Sequence, residues 1–533
     1  MSLLSHKNNM DLIALADKDH LLSVRDELIA NTNIRPQWLH FGSGNIFRSY
    51  IALIAQKLQA KRLMDTGIVI CEAYDEEILS VSYKQSDNIS LSATLNFDGT
   101  TDVTPVLSVT KALCLNQSRE DREFYLHALT QPSLQIISFS ITEKAYELED
   151  ASGHILPYIQ KDLSCDLQNV SSILPLLLLG LVRRFENGAL PLTLMALDNC
   201  KHNGDKLKKS LLKLCDMFIQ EGKLSAKFKD YLANKIAFPL SMIDKIAPRP
   251  DKDVLLKLRA LGYTLDDIHL TAKGTYTADF VNSEKTAYLV IEDNFKNSRP
   301  PFEQAEIIMT DRASVMLCEN MKIESCLNPL QTAAAIAGML FNYTYISECM
   351  EDEIIVSLVK KLGAEGILVV DDPKVLNPKD FLDEAIELRM PNPYINDTPS
   401  RIATDSSSKI AIRLGLSVRR YIAKKIHTDD LVAIPLVYAL FVRYCAGIDD
   451  NLEPYTLPND LNYNYIKSIG SKLNVIKADD TTLDAVLSVL ENETIMGCNL
   501  KEAAIFDRVK KLVLSMCQGK GSIRQTLAKE LSV

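Results

Sequence analysis

Apolar residues fall in two rhythms along this chain. Up to about residue 300, short unbroken apolar runs alternate with longer segments of helical spacing. The runs WLHF at 38–41, GIVIC at 67–71, QIISFSI at 135–141 and LTLMAL at 192–197 each lead into polar residues. Unbroken runs suit strands buried on both faces, and their alternation with helices predicts an open, largely parallel sheet. Phe47, Ile51, Ile54 and Leu58 recur at helical spacing just after the first run, so this stretch reads strand, glycine turn, helix. Residues 80–110 break the rhythm, with Val, Thr and Ser alternating around Asn and Asp-Gly, which predicts a small antiparallel excursion. Helical periodicity returns at 206–219 and 251–261. After NSRPP at 297–301 the pattern becomes mainly helical, with segments at 328–349, 352–361, 378–388, 407–426 and 431–445. The prolines interrupt regular structure there, so one domain is expected over 1–299, including a short N-terminal extension, and a helical one over 300–533.

A chain of 533 residues exceeds one hydrophobic core, which agrees with two domains. A net charge of -10 gives no broad attraction to nucleic acid or to an anionic membrane, while leaving room for a local basic pocket. The eleven cysteines form no C-x-x-C pair and read as reduced thiols. Cys318 and Cys326 flank Lys322, but no further residues complete a zinc site, and no metal is expected. The opening 23 residues are too mixed and acidic for a signal peptide, and the apolar run at 431–442 is too short to span a bilayer. A cytoplasmic protein follows from this reading.

GSGNIF places Gly42 and Gly44 directly after the first strand. Two such glycines permit a tight turn and the approach of a pyrophosphate to the helix start, where Asn45 stands and where Arg48 can add a phosphate contact. Phe47 occupies the place of a third glycine and should hold the helix farther from the strand. After the second strand, Glu72 or, by preference, Asp75 can accept from the adenosine ribose hydroxyls, favouring NAD over NADP. The expectation is an α/β fold with a Rossmann-type N-terminal domain and a mostly α-helical C-terminal domain.

The segment MKIESCLNPL at 321–330 carries the candidate chemistry. Asn328 with Pro329 is a helix start, with Asn328 as cap and Pro329 at the first helical position. A lysine beside a buried helix start is a candidate proton acceptor, because desolvation and the positive helix end both disfavour its charged form. The plain alternative is a solvated lysine ahead of a helix. Asn199 likewise has a plain alternative as a turn former, and His202 is not taken as the base.

Several blocks together resemble the mannitol dehydrogenase family of polyol-specific long-chain dehydrogenases. They are GSGNIFR at 42–48, SITEKAY at 140–146, LDNCKHNG at 197–204, FPLSMIDKIAP at 238–248, YLVIEDNFKNSRPPF at 288–302, MKIESCLNP at 321–329 and RIATDSSSKIAIRL at 401–414. The resemblance implies substrate bound between the two domains and hydride transfer without a catalytic metal. It implies Lys322 as general base or acid, with Asn199 and Asn328 polarising the reacting oxygen. It places Arg401 and Lys409 on distal substrate oxygens or a carboxylate. Asp244 in SMIDK reads as an acid that orients a positive or hydroxyl group, with a helix or turn cap as its plain alternative. Thr142 and Glu143 would face the nicotinamide side.

Two departures stand out. The family often has its lysine five positions before the second asparagine, and here Lys322 is six before Asn328. Its histidine three positions after that asparagine is Gln331 here. Gln331 can bond a substrate hydroxyl but cannot titrate near neutrality; alternatively it caps the helix reciprocally at N3. The expected function is NAD-dependent interconversion of a hexonate and its keto-sugar acid, of the mannonate and fructuronate type. A mannitol or arabinitol dehydrogenase and a catalytically impaired nucleotide- or sugar-binding homologue are the alternatives. The partner is a small sugar acid or polyol, and oligomeric state is not fixed by the sequence.

Overall fold

The computed structural model describes residues 7–150 and 152–533, so the first six residues of the segment weighed as a leader lie outside the described residues. The chain divides into two compact units, Met1–Met316 and Leu317–Val533. This division falls downstream of the NSRPP prolines. Strand Ile308–Thr310 pairs in parallel with Tyr288–Glu292, which binds the chain past those prolines into the first unit.

The first unit is built on a six-stranded sheet. Its strands are β1 (Trp38–Phe41), β2 (Ile68–Glu72), β3 (Val109–Cys114), β4 (Ile136–Phe139), β5 (Leu192–Ala196) and β6 (Ile236–Ala237). They lie in the order β3-β2-β1-β4-β5-β6, every pair parallel. This is the doubly wound order in which the chain reverses direction across the sheet at β1 and β4, opening a crevice at their carboxyl ends. Both faces are covered. Leu39, Phe41, Val69, Cys71, Ile137 and Phe139 enter one core, and Trp38, Ile68, Ile70 and Ile136 enter the other with Phe47, Ile51, Ile54 and Leu58. That two-sided burial is why these strands read as unbroken apolar runs.

The predicted antiparallel excursion is Ser90–Leu95 against Thr101–Val106, joined in parallel by Phe280–Glu284. Strands β3 and β6 had no counterpart in the sequence reading.

The second unit is helical. At its centre Ala433–Tyr444 is buried on every residue. The buried Glu365 accepts from the backbone N–H groups of Val432, Ala433 and Ile434, satisfying donors that a helix start leaves open. Three predicted helices carry or adjoin wide π turns, at Lys322–Cys326, Ala385–Arg389 and Ala411–Gly415. Among the described residues no helix is long and apolar enough to cross a membrane.

Candidate active site

In the first unit the glycine turn follows β1 as expected. Gly42 has φ +108°, and a Cβ there would lie 2.5 Å from the Ser140 carbonyl oxygen beyond β4. Only glycine fits both conditions. Around Gly44 a Cβ would meet nothing within 4 Å, so the turn keeps open space at the helix start. That open turn, ahead of N–H groups with no intrahelical acceptor, fits a dinucleotide pyrophosphate. Tyr83 donates to the Ser43 carbonyl and Asn45 to that of Pro248, fixing the loop from both sides.

Phe47 stacks on His40 of β1 with centroids 4.3 Å apart, in the core, and the helix begins with a π turn, Phe47–Ile51. A ring in place of a third glycine therefore acts as packing. Arg48 corrects the sequence expectation. Its guanidinium is buried, donates to the Ala278 carbonyl and stacks over the Tyr83 ring, so it does not offer a phosphate contact.

The two candidate ribose acceptors also separate. Asp75 is buried and accepts from the Thr271 hydroxyl, turned into the fold. Glu72, at the tip of β2, accepts from Ser43 of the glycine turn and from the amides of Ala73 and Tyr74. The acid beside the turn is thus Glu72, and the preference for Asp75 is corrected.

A cleft of about 210 Å³ opens near the carboxyl ends of β1, β4 and β5, lined among others by Ile46, Ser140, Ile141, Asn199 and Lys245. Asn199 is exposed there. Its loop is set by Asn203, which is buried and donates to Ala196, Asp198 and Ser241, and by Asp198, which takes the Tyr146 hydroxyl and the Cys200 thiol. Thr142 and Glu143 are exposed after β4, and Glu143 pairs with Lys206. Asp244 is buried at the end of strand Ser241–Asp244, and Lys245 donates to the Glu284 carbonyl.

His40 offers a pH test of this unit. It bonds Ser138 at 2.6 Å and Ser140 at 2.9 Å, and burial holds its imidazole down to about 3. A folded-state value below the unfolded 6.5 means stability present at neutral pH and lost as pH falls between 6.5 and about 3. Near pH 5 the loss is about 2 kcal/mol. Asp279, pushed up to about 6 by burial, works in the opposite sense below that pH. Denaturant unfolding of wild type and His40→Asn between pH 7 and 5 should therefore show the wild type losing about 2 kcal/mol relative to the variant, the difference isolating His40.

In the second unit Lys322 is 2% exposed and opens the π turn Lys322–Cys326, after the helix that ends at Met321. Leu327, with φ -137° and ψ -61°, breaks the helix, and Asn328–Leu340 follows. A π turn closes its bond across one more residue than an α turn. The six-residue separation of Lys322 and Asn328 is absorbed there and in the break at Leu327. Asn328 is a helical residue rather than the cap, and Leu327 occupies the cap position without a side-chain bond. Gln331 consequently does not sit at N3, and the reciprocal cap is not made; both readings are corrected.

The Asn328 carbonyl accepts from Arg413 at 3.0 Å, and the same guanidinium nitrogen donates to the Thr332 hydroxyl at 2.6 Å. Burial lowers Arg413 to about 10. Lys409 donates to the Ile402 carbonyl and is lowered to about 8, first by burial and then by the charge of Arg413. The unit thus gathers Asn328, Lys409 and Arg413. Arg401 is mostly exposed and gives its Nε and Nη2 edge to Asp397 at 2.6 and 2.5 Å, so that edge is not open to a substrate carboxylate as the sequence reading had it. Arg413 was missed as a site residue, although it lies inside the block at 401–414. Among the described residues, no group of three or more His, Cys, Asp or Glu side chains is placed to hold a metal ion.

The chain matches the family model described as mannitol dehydrogenase Rossmann domain over residues 36–304, and that of the mannitol dehydrogenase C-terminal domain over 314–517. The D-mannonate oxidoreductase of Thermotoga maritima is 39% identical over 505 residues, covering 94% of each chain. Two solved structures share the fold. The mannitol 2-dehydrogenase of Pseudomonas fluorescens, in a ternary complex with NAD and D-mannitol, has a TM-score of 0.69 at 24% identity, covering 95% of this chain and 94% of its own. A substrate-free D-sorbitol dehydrogenase has a TM-score of 0.73 at 23% identity, covering 92% and 96%.

Proposed function

This chain belongs to the mannitol dehydrogenase family, and we propose that it interconverts a hexonate and its keto-sugar acid, of the D-mannonate and D-fructuronate type, with NAD. The observation that carries the reading is the full-length likeness to a D-mannonate oxidoreductase. The cation Lys409, beside Arg413, supports it, because an ammonium suits an acidic substrate better than a neutral polyol.

The nicotinamide, when bound, takes up or returns the hydride. The protein residues manage the oxygen and its proton. In the oxidation direction Lys322 accepts the hydroxyl proton as hydride leaves the same carbon, and in reduction it returns that proton to the carbonyl oxygen. The side-chain amides of Asn199 and Asn328 donate to this oxygen as charge develops on it. Lys409 and the remaining edge of Arg401 bind the distal end of the substrate, Asp244 orients a hydroxyl, and Gln331 offers a further hydrogen bond. Gly42, Gly44 and Asn45 form the pyrophosphate turn, with Thr142 and Glu143 toward the nicotinamide. Glu72 favours NAD, since a carboxylate beside the ribose repels a 2′-phosphate. Coupling to the cellular nicotinamide pool goes with a cytoplasmic location.

The test follows NADH absorbance with purified protein and D-fructuronate, D-tagaturonate or D-fructose. Preferential turnover of a keto acid is the expected result. Preference for fructose would make the protein a polyol dehydrogenase, and NADH binding without any turnover would favour an impaired homologue.

A further inference from the structure

Lys322 and Asn328 are separated by a π turn and a helix break, neither of which fixes their register by itself. One continuous stretch of chain grips both sides of this junction. It runs from Ser406–Ile410 through the π turn Ala411–Gly415 into Leu416–Ala423. Arg413, Ser417 and Arg420 stand four and three residues apart, the spacing of a single helix face, and the Ser417 hydroxyl also lies 3.3 Å from the Arg413 carbonyl.

Each of the three holds the junction. Arg413 donates to the Asn328 carbonyl and the Thr332 hydroxyl. Ser417 donates to the Glu324 carbonyl at 2.5 Å, and Arg420 donates through Nε to the buried Glu324 carboxylate at 2.8 Å. Arg420 is itself tied to Asp371 at 2.7 Å. On another side of the turn, Gly366 brings the helix Glu353–Ile367 against Ser325, where a Cβ would lie 3.2 Å from the Ser325 carbonyl.

We propose that Arg413, Ser417 and Arg420 form a positioning clamp that sets the register of Lys322 against Asn328. The clamp rests on the roles proposed above for those two residues. It replaces what a continuous helix would otherwise do for a lysine and an asparagine on one helix.

Arg413→Met, Arg413→Lys and Ser417→Ala test it with the full-length protein. For Arg413→Met, kcat with D-fructuronate should fall on the order of 100-fold, because a displacement of about 1 Å is enough for such a loss. KM and NADH binding should stay near wild type, and Arg413→Lys, which keeps a cationic donor nitrogen, should recover much of kcat. If Arg413→Met does not fold, Ser417→Ala carries the same expectation at smaller size. Unchanged kcat in a folded variant overturns the clamp, as does a raised KM with kcat preserved, which would put Arg413 on the substrate.

Hydrogen–deuterium exchange of peptides over 322–332 separates this inference from the assigned reaction. Should wild type turn over none of the sugars, faster exchange there in Arg413→Met still supports the clamp while the functional reading fails. Unchanged exchange overturns the clamp in either case.

Discussion

Replacing Lys322 with methionine should lower kcat for D-fructuronate reduction by about a thousandfold while NADH binding is retained. The magnitude is that of a lost general acid or base in a positioned site, roughly 10² to 10⁴. Methionine is chosen because Lys322 is 2% exposed on its π turn, and truncation to alanine would add a cavity to the chemical loss. An unbranched side chain of similar length keeps the packing and removes the ammonium. Single-turnover mixing of NADH with substrate reads the chemical step directly. Small primary amines added to the variant should recover part of the rate if the deleted group moves a proton. A variant within a few fold of wild type would remove Lys322 from the mechanism and leave it a buried structural lysine.

The fold was largely legible because its strands are buried on both faces. WLHF, IVICE, IISF and LTLMA are mainly apolar, and the polar residues they do carry inside are uncharged and bonded, as His40 is to Ser138 of the neighbouring strand, so the runs still stand out. VTKALC escaped because Lys111 breaks the run, and the structure shows how the strand tolerates it: the ammonium lies over the Phe124 ring, 4.7 Å from its centre. β6 is two residues long and carries no periodicity at all. The π turns were invisible for another reason. They are defined by backbone bonding, and KIESC or AIRLG contains no residue type that demands it.

The candidate site was legible where the chain acts locally and failed where partners come from far away. Gly42 was found because a turn after a strand requires its φ. Arg48 was misread because the Ala278 carbonyl that draws it inward lies 230 residues on, and Arg413 was missed because its partner Asn328 lies 85 residues back. Arg401 is the instructive exception. Its partner Asp397 is only four residues away, so an acid–base pair at that spacing was readable and would have warned that the guanidinium is partly occupied.

Asn328 allows stability and activity to be pulled in opposite directions. Its carbonyl is held by Arg413 and Thr332, which leaves the side-chain amide for the proposed contact with the reacting oxygen. Removing one preorganised donor of this kind costs about 10² to 10³ in kcat, so Asn328→Ala should fall in that range. Asn328→Asp should be worse, since it replaces the donor with an anion facing an oxygen that becomes negative. The same aspartate sits in the first turn of Asn328–Leu340, where negative charge favours the helix, so its Tm should equal or exceed that of wild type. A purely structural asparagine predicts the reverse pattern, with activity following Tm in both variants. Thermal melts and kcat measured on the same two proteins decide between them: a stable, nearly inactive Asn328→Asp supports the polarising role, and an active one sinks it.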